Sequence, residues 1–293
     1  GLRNAVQEIR TIDAQMVELR RVMDATPETY NNLLKESINL AKNLGNTISE
    51  VNEAMIGYAR QGFTDTQLKF LTQAATVMSN VSDMQAEEAM SAITASMMAF
   101  RLEAEQSIDV VDKLNEVDNN FAITTQDLAQ AMERSASTAM TYGVTLDELL
   151  GQIAAIGITT RESGSVIGNS LKTIYTRLTT MQPNINLLES LGIAVYDMNN
   201  EVRSATDILG DLAGVWDTLT KEQQQNIAVQ LAGRYQVSRF LTLMQQWKTA
   251  TDVTNTALNS QGSAMRENAE YLQSLEARSN RLKNTVTEWA LTM

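Results

Sequence analysis

Carboxylates are the residues of this chain whose number and spacing come nearest to a reactive site. Glu87 and Glu88, Glu103 and Glu105, and Asp109 and Asp112 stand in pairs on segments that read as helical. Two carboxyl groups flanking a sugar ring are the machinery of glycoside hydrolysis. A sugar cleft also needs aromatic platforms, and the aromatics here are few and scattered, so the pairs read as solvated helix faces. Asp112, Glu116 and Asp118 lie close in sequence but lack the spacing and turn glycine of an EF-hand calcium loop. The run from Gly164 to Thr173, GSVIGNSLKT, invites comparison with a phosphate loop, but the closing Gly-Lys-Ser/Thr is missing and no strand precedes it. Arg234, Arg239 and Lys248 fall near Tyr235, Phe240 and Trp247, and cations interleaved with aromatics can hold single-stranded nucleic acid. Three cations in an acidic chain are few, and arginine stems packed over aromatic rings are the reading preferred.

Composition removes most other chemistry. The 293 residues include no His and no Cys. A Ser-His-Asp triad, a histidine zinc site, a cysteine nucleophile and a disulfide framework are therefore excluded within them. No catalytic set, metal site or cofactor site is read, and the chain reads as a non-enzyme. Twenty-three basic side chains against 35 acidic ones give a formal charge of −12, which disfavours binding along nucleic-acid phosphates. The chain begins with Gly1, shows no signal-peptide pattern, and both ends read as cuts through a longer protein. No apolar run reaches the ~18 residues a membrane-spanning helix needs.

The elements that must carry these residues are helices. Two prolines in such a length favour helix, since proline breaks helix interiors. Hydrophobic content is 43% but aromatic content only 5%, so small apolar residues and Met must fill helix-on-helix contacts. The reading is an all-α fold: a body of short helices and αα-hairpins with one small β-hairpin at Ile193 to Val202, flanked by coiled-coil-like helices. Residues 1–26 form the first flank, 27–248 the body, 249–264 a polar linker or weaker helix, and 265–293 the start of a long second helix. In the first flank Leu2, Ile9, Met16 and Met23 are seven apart, as are Ala5, Ile12, Leu19 and Thr26. In the last, Leu275, Leu282 and Trp289 share that spacing with Leu272, Ser279, Val286 and Met293. These are a and d positions of a self-associating seam. An amphipathic helix docked on its own domain fits the first flank equally well.

Gly143 to Leu178 is the most organised stretch. Thr145 precedes an apolar-periodic run with Glu148 three residues on, the spelling of a capping box. Gly157 is expected to supply the left-handed stop of that helix. Ser163 opens the next, on which Gly164 and Gly168 lie four apart and admit a neighbouring backbone. Ordinary helix punctuation is the plainest account of these glycines.

The same residues resemble something more specific. Gly143, Thr145, Asp147, Glu148 and Leu149, then Gly157, then the small-residue helix with Ser163, Gly164, Gly168, Leu171 and Lys172, follow in a familiar order. Leu191-Gly192-Ile193, Leu231-Ala232-Gly233-Arg234 and Phe240-Leu241 continue it. Over roughly residues 40 to 245 this is similar to the core of phage tail tape measure proteins of long-tailed phages and prophages of Gram-positive bacteria. Asn199-Asn200 departs from the pattern, where a glycine is the commoner turn residue. The resemblance implies a structural virion protein, assembled in the host cytoplasm, that fixes tube length, fills the lumen or tail tip, and leaves ahead of the DNA. It implies self-association as a trimer. It also implies contact with the tail tube protein, distal tail and tail-tip hub proteins, assembly chaperones and, on ejection, the host membrane. The residues themselves leave one alternative, a membrane-active helical pore former.

Overall fold

The computed structural model describes residues 2–292, with side chains from Val6 to Leu291. The expected seam residues Leu2, Ala5 and Met293 lie outside the described side chains. Among the described residues the regular structure is helical. The chain opens with α1 (Leu2–Val22), α2 (Pro27–Leu44), α3 (Ile48–Arg60), α4 (Asp65–Val81), α5 (Ala86–Phe100) and α6 (Ser107–Asn120). It continues with α7 (Thr125–Thr141), α8 (Leu146–Thr160), α9 (Gly164–Thr180), α10 (Gln182–Ser190) and α11 (Ala205–Trp216). Then come α12 (Lys221–Ala232), α13 (Val237–Gln245), α14 (Trp247–Leu258), α15 (Ser263–Tyr271) and α16 (Leu275–Thr292).

Local chemistry sets many of the helix starts. At Thr47, Thr145 and Thr220 the hydroxyl accepts the backbone N–H of Glu50, Glu148 and Gln223. Each of those side chains in turn accepts the threonine's own N–H, at 2.7, 2.9 and 2.8 Å. Two amides that a helix start leaves without partners are thereby satisfied at each site. Thr26 caps α2 with Pro27 in the first turn, where its missing N–H costs nothing.

The helices sort into two compact units. The first comprises residues up to 94, 103–115 and from 262 onward. In it α3 packs on α1, α2 and α4, and α15 packs on α4. In its core Leu40, Leu44, Val51, Met55, Leu68, Leu71, Val77 and Met78 are buried. The second comprises residues 95–102 and 116–261. There α7 lies on α9, and α8 on α14. Leu149, Ile153, Ile167, Leu171, Ile174, Leu209, Leu212 and Phe240 form the interior, with Trp216 and Phe240 meeting edge to face at 6.0 Å. A buried polar chain crosses it: Tyr175 Oη donates to Gln152 Oε1 at 2.9 Å, and Gln152 Nε2 to Thr206 Oγ1 at 2.9 Å.

Several expectations are corrected. The β-hairpin at 193–202 does not form, and only a single antiparallel bridge joins Tyr196 and Val202. Asp197 explains it: its Oδ1 accepts the N–H groups of Asn199 and Glu201, so the side chain takes donors a ladder would use. The polar stretch 249–264 is mostly helix, because Ala250, Val253 and Ala257 give α14 a buried face. Its threonines are satisfied within the helix, Thr254 Oγ1 donating to the Ala250 carbonyl at 2.8 Å. The long helix expected from 265 is broken at 272–274, where Ser274 Oγ accepts the Ala277 N–H and starts α16 afresh. Gly157 does not end α8. The helix runs on to Thr160 and stops at Arg161, which is left-handed at φ 56° and donates its N–H to the Gly157 carbonyl. Gly157 is closely packed instead: a Cβ there would lie 2.8 Å from the side-chain tip of Ile123, Cδ1. Finally, the flanks do not stand apart from the body: α1 packs on α3 and α16, and α16 on α2.

Candidate association site

The two terminal helices meet different fates. On α1, Ile12, Met16 and Leu19 are buried within the first unit, and Ile9 and Met23 are half-buried. On α16 the polarity is reversed. Ala277, Asn280, Asn284 and Thr287 are buried, whereas Leu275, Leu282, Val286 and Trp289 are exposed. Leu272, in the break before α16, is half-buried beside Gly45.

The inward face of α16 is held by amide chemistry. Asn280 Nδ2 donates to the Gly45 carbonyl at 3.0 Å, and Asn284 Nδ2 to the Asn46 carbonyl at 2.7 Å. Arg281 Nε reaches the Lys42 carbonyl, and Lys42 pairs with Glu288. The carbonyls belong to the end of α2 and its turn, where orphan acceptors are expected. Gly45 makes the approach possible twice over: its φ is 86°, and a Cβ there would lie 2.8 Å from Ala277 Cβ. Nearby, Asn80 joins Asn46 and Asn268 through hydrogen bonds of 2.9 and 2.7 Å.

Asp112 ties a third segment to this unit. Its carboxylate accepts the N–H groups of Gly262 at 2.7 Å and Ala264 at 2.9 Å, capping α15. Burial pushes its pKa above the ordinary carboxylate range, against the two backbone bonds that pull it down. A raised folded-state pKa means stability present at low pH is lost as pH climbs through it. Asp112→Asn should therefore flatten the fall in stability above about pH 4 relative to the parent. It should also cost about 1–2 kcal/mol where the parent carboxylate is ionised, because an amide offers one acceptor oxygen to two N–H donors. Urea unfolding across pH, read as parent minus variant, checks both.

The remaining sequence-selected residues support the fold of the second unit. Gly143, Gly192 and Gly233 hold left-handed turns, with φ of 72°, 79° and 80°, and Leu191 ends α10. Gly164 and Gly168 face α7 so closely that a Cβ on either would overlap a carbonyl oxygen, of Asp127 and Ala131 respectively. Ser163 makes no side-chain cap. Asp127 Oδ1 accepts the Gly164 N–H instead, at 3.1 Å. The basic and aromatic residues near 240 disperse: Arg239 forms a two-pronged pair with Glu162 at 2.6 and 2.7 Å, Lys248 pairs with Asp252, and Phe240 is buried, while Arg234 and Tyr235 are exposed. Of the carboxylate pairs, Glu87, Glu88, Glu103, Glu105 and Asp109 are exposed.

Three contributors escape sequence reasoning. Arg177 donates to the carbonyls of Leu231 and Gln230, closing α12 from α9. Gly151 lies under α14, where a Cβ would strike the Ala250 carbonyl oxygen and Thr254 Oγ1; a glycine inside a helical pattern was its only signal. The inward asparagines of α16 carry no periodic apolar signature at all.

Comparison with known proteins places the chain. A tape measure protein of Pneumococcus phage Dp-1 is 26% identical over 264 residues, covering 89% of this chain and 23% of that protein. A probable tape measure protein of Halomonas phage phiHAP-1 is 32% identical over 93 residues, covering 32% of this chain and 10% of that protein. The chain thus spans about a quarter and a tenth of the lengths of these two curated relatives. No solved structure matches. The family model for phage-related minor tail proteins matches residues 35–233. With more than half its length under that model, the chain belongs to the phage-related minor tail protein family.

Proposed function

We propose that this chain is a non-enzymatic structural segment of a tail tape measure protein, residing in the tube or tail tip of the virion. The observation that carries this is similarity to a tape measure protein running through 89% of the chain. On this reading the full protein sets tube length during assembly, fills the lumen as a trimer, contacts tube, distal tail, hub and chaperone proteins, and leaves ahead of the DNA. A continuous helix advances about 1.5 Å per residue and so converts chain length into distance. Folded as here, this segment is a poor ruler: its longest helix has 21 residues and spans only about 32 Å. It fits an end piece, seated at the tip or held by chaperones until assembly, or a store of helix that extends in the tube.

The test is genetic. In-frame deletion of a helical block from the full reading frame should shorten tails in proportion to the residues removed. Deletion within the two compact units should abolish tails without producing a series of graded lengths. Tails of unchanged length after the first deletion would sink the ruler. The alternative of a pore former draws no support from the helices: among the described residues none is long and apolar enough to cross a membrane.

A further inference from the structure

The second unit carries a cavity of about 290 Å³ walled by α8, α11 and α14. Small-molecule sites begin at ~300 Å³, so it has room for one side chain and not for a cofactor. Its floor is fixed: Gln152 is buried, and both ends of its amide are held, by Tyr175 and Thr206. One wall is the half-buried Trp247, whose Nε1 lies 3.5 Å from where a Cβ on Gly210 would stand. Residue 210 has no side chain, which leaves space beside the indole.

The rim is acidic. Glu148 stands in the first turn of α8 and Asp207 in the first turn of α11, with Asp211 one turn on. The cations nearby are engaged elsewhere: Arg203 pairs with Asp211 at 2.7 Å, and Lys248 with Asp252 at 2.7 Å. Among the described residues Glu148 and Asp207 have no cationic partner. One Glu148 oxygen accepts the Thr145 N–H and the other is uncommitted, while Asp207 commits only its backbone N–H, to Ser204. Thr251 and Thr254 donate their hydroxyl protons to carbonyls of their own helix, which leaves oxygen lone pairs at the wall. The cavity thus offers chiefly acceptors beside an aromatic ring, and that set matches a cation that only donates. No carboxylates among the described residues are gathered tightly enough to hold a metal ion, so the match is to an extended cation. Guanidinium is planar, carries five donors and lies well on indole. The helix N-termini beneath Glu148 and Asp207 oppose it with about half a charge each, less than the full charge each carboxylate sets over them. We propose that this cavity is a receptor for an arginine side chain presented by a partner protein. The proposal rests on the second unit alone and is independent of the tape measure reading.

The test uses the whole 293-residue chain and capped tripeptides: acetyl-Gly-Arg-Gly-amide against its citrulline and lysine analogues. The chain has three tryptophans, so the Trp247 indole N–H is one of three NMR signals, identified by its loss in Trp247→Phe. The arginine peptide should move that signal saturably, with a dissociation constant on the order of 1 mM, and leave the other two in place. The citrulline peptide, similar in shape but uncharged, should bind at least roughly tenfold more weakly, and the lysine peptide should also bind more weakly than arginine. Asp207→Asn and Glu148→Gln should each weaken arginine binding about two- to fivefold, the scale of an exposed ion pair; glutamine keeps the acceptor that caps α8. Gly210→Ala should weaken it without unfolding the unit, because the added carbon would make only ordinary contact with the indole, 3.4 Å from Cζ2. No saturable shift with the arginine peptide, equal binding of citrulline, tighter binding of lysine, or a Gly210→Ala chain that binds like the parent would each overturn the assignment. So would spermidine moving the Trp247 signal at lower concentration than the peptide, which would make the cavity a polyamine site.

Discussion

Gly164→Ala should destabilise the second unit by roughly 3 kcal/mol or more, the range of severe overpacking. The added carbon has nowhere to go. Beyond its overlap with the Asp127 carbonyl oxygen, it would lie 2.8 Å from Asp127 C and 3.0 Å from Ala131 N. These are backbone atoms of α7, so no rotamer change relieves the contact, and α7 and α9 must move apart along their shared face. Doing so also stretches the 3.1 Å bond from the Gly164 N–H to Asp127, which caps α9. Gly151→Ala should behave likewise, since it meets the Ala250 carbonyl oxygen across the contact of α8 and α14. Gly214→Ala provides the control of opposite sign. Nothing lies within 4 Å of its Cβ position, so the better helix former should stabilise α11 by about 0.5–1 kcal/mol. Urea unfolding of the three variants would check the set. A neutral Gly164→Ala would mean that α7 and α9 do not pack this closely.

The second large effect concerns the amide hold on α16. Asn280→Ala with Asn284→Ala should cost roughly 2–4 kcal/mol of local stability, because the Gly45 and Asn46 carbonyls lose their donors while remaining covered. Little apolar area binds α16 inward, so amide bonds and Ala277 carry much of its attachment. The expected result is a helix that opens while the rest of its unit stays folded. Hydrogen exchange should accelerate from Leu275 to Thr292, with α3 and α4 keeping their protection. Whole-unit unfolding, or unchanged protection, would refute a detachable α16.

What could be read beforehand divides along a physical line. Thr145 with Glu148, and Thr26 with Pro27, are local rules, and local rules survive folding. Gly164 and Gly168 announced a close backbone by their spacing. Gly157 was misread because a glycine serves equally for a left-handed stop and for want of space, and only the presence of Ile123 decides between them. The left-handed position fell to Arg161, whose guanidinium donates to the Ala122 carbonyl at 3.0 Å, a contact invisible in the sequence. The heptad on α16 marks an apolar stripe that the fold leaves exposed. Periodicity locates an apolar stripe but not what covers it. Here the polar stripe is covered, through asparagines paired with a turn more than two hundred residues earlier.

That long-range closure has a mechanical corollary. The first unit is assembled from three separated stretches, and the second lies wholly within the intervals between them. Because α1 and α16 pack on each other, tension applied to the two ends is borne first where they touch. The inserted helices remain unloaded until that junction ruptures. A chain drawn out by its tips would therefore yield in a fixed order, the first unit giving way before the second pays out its length.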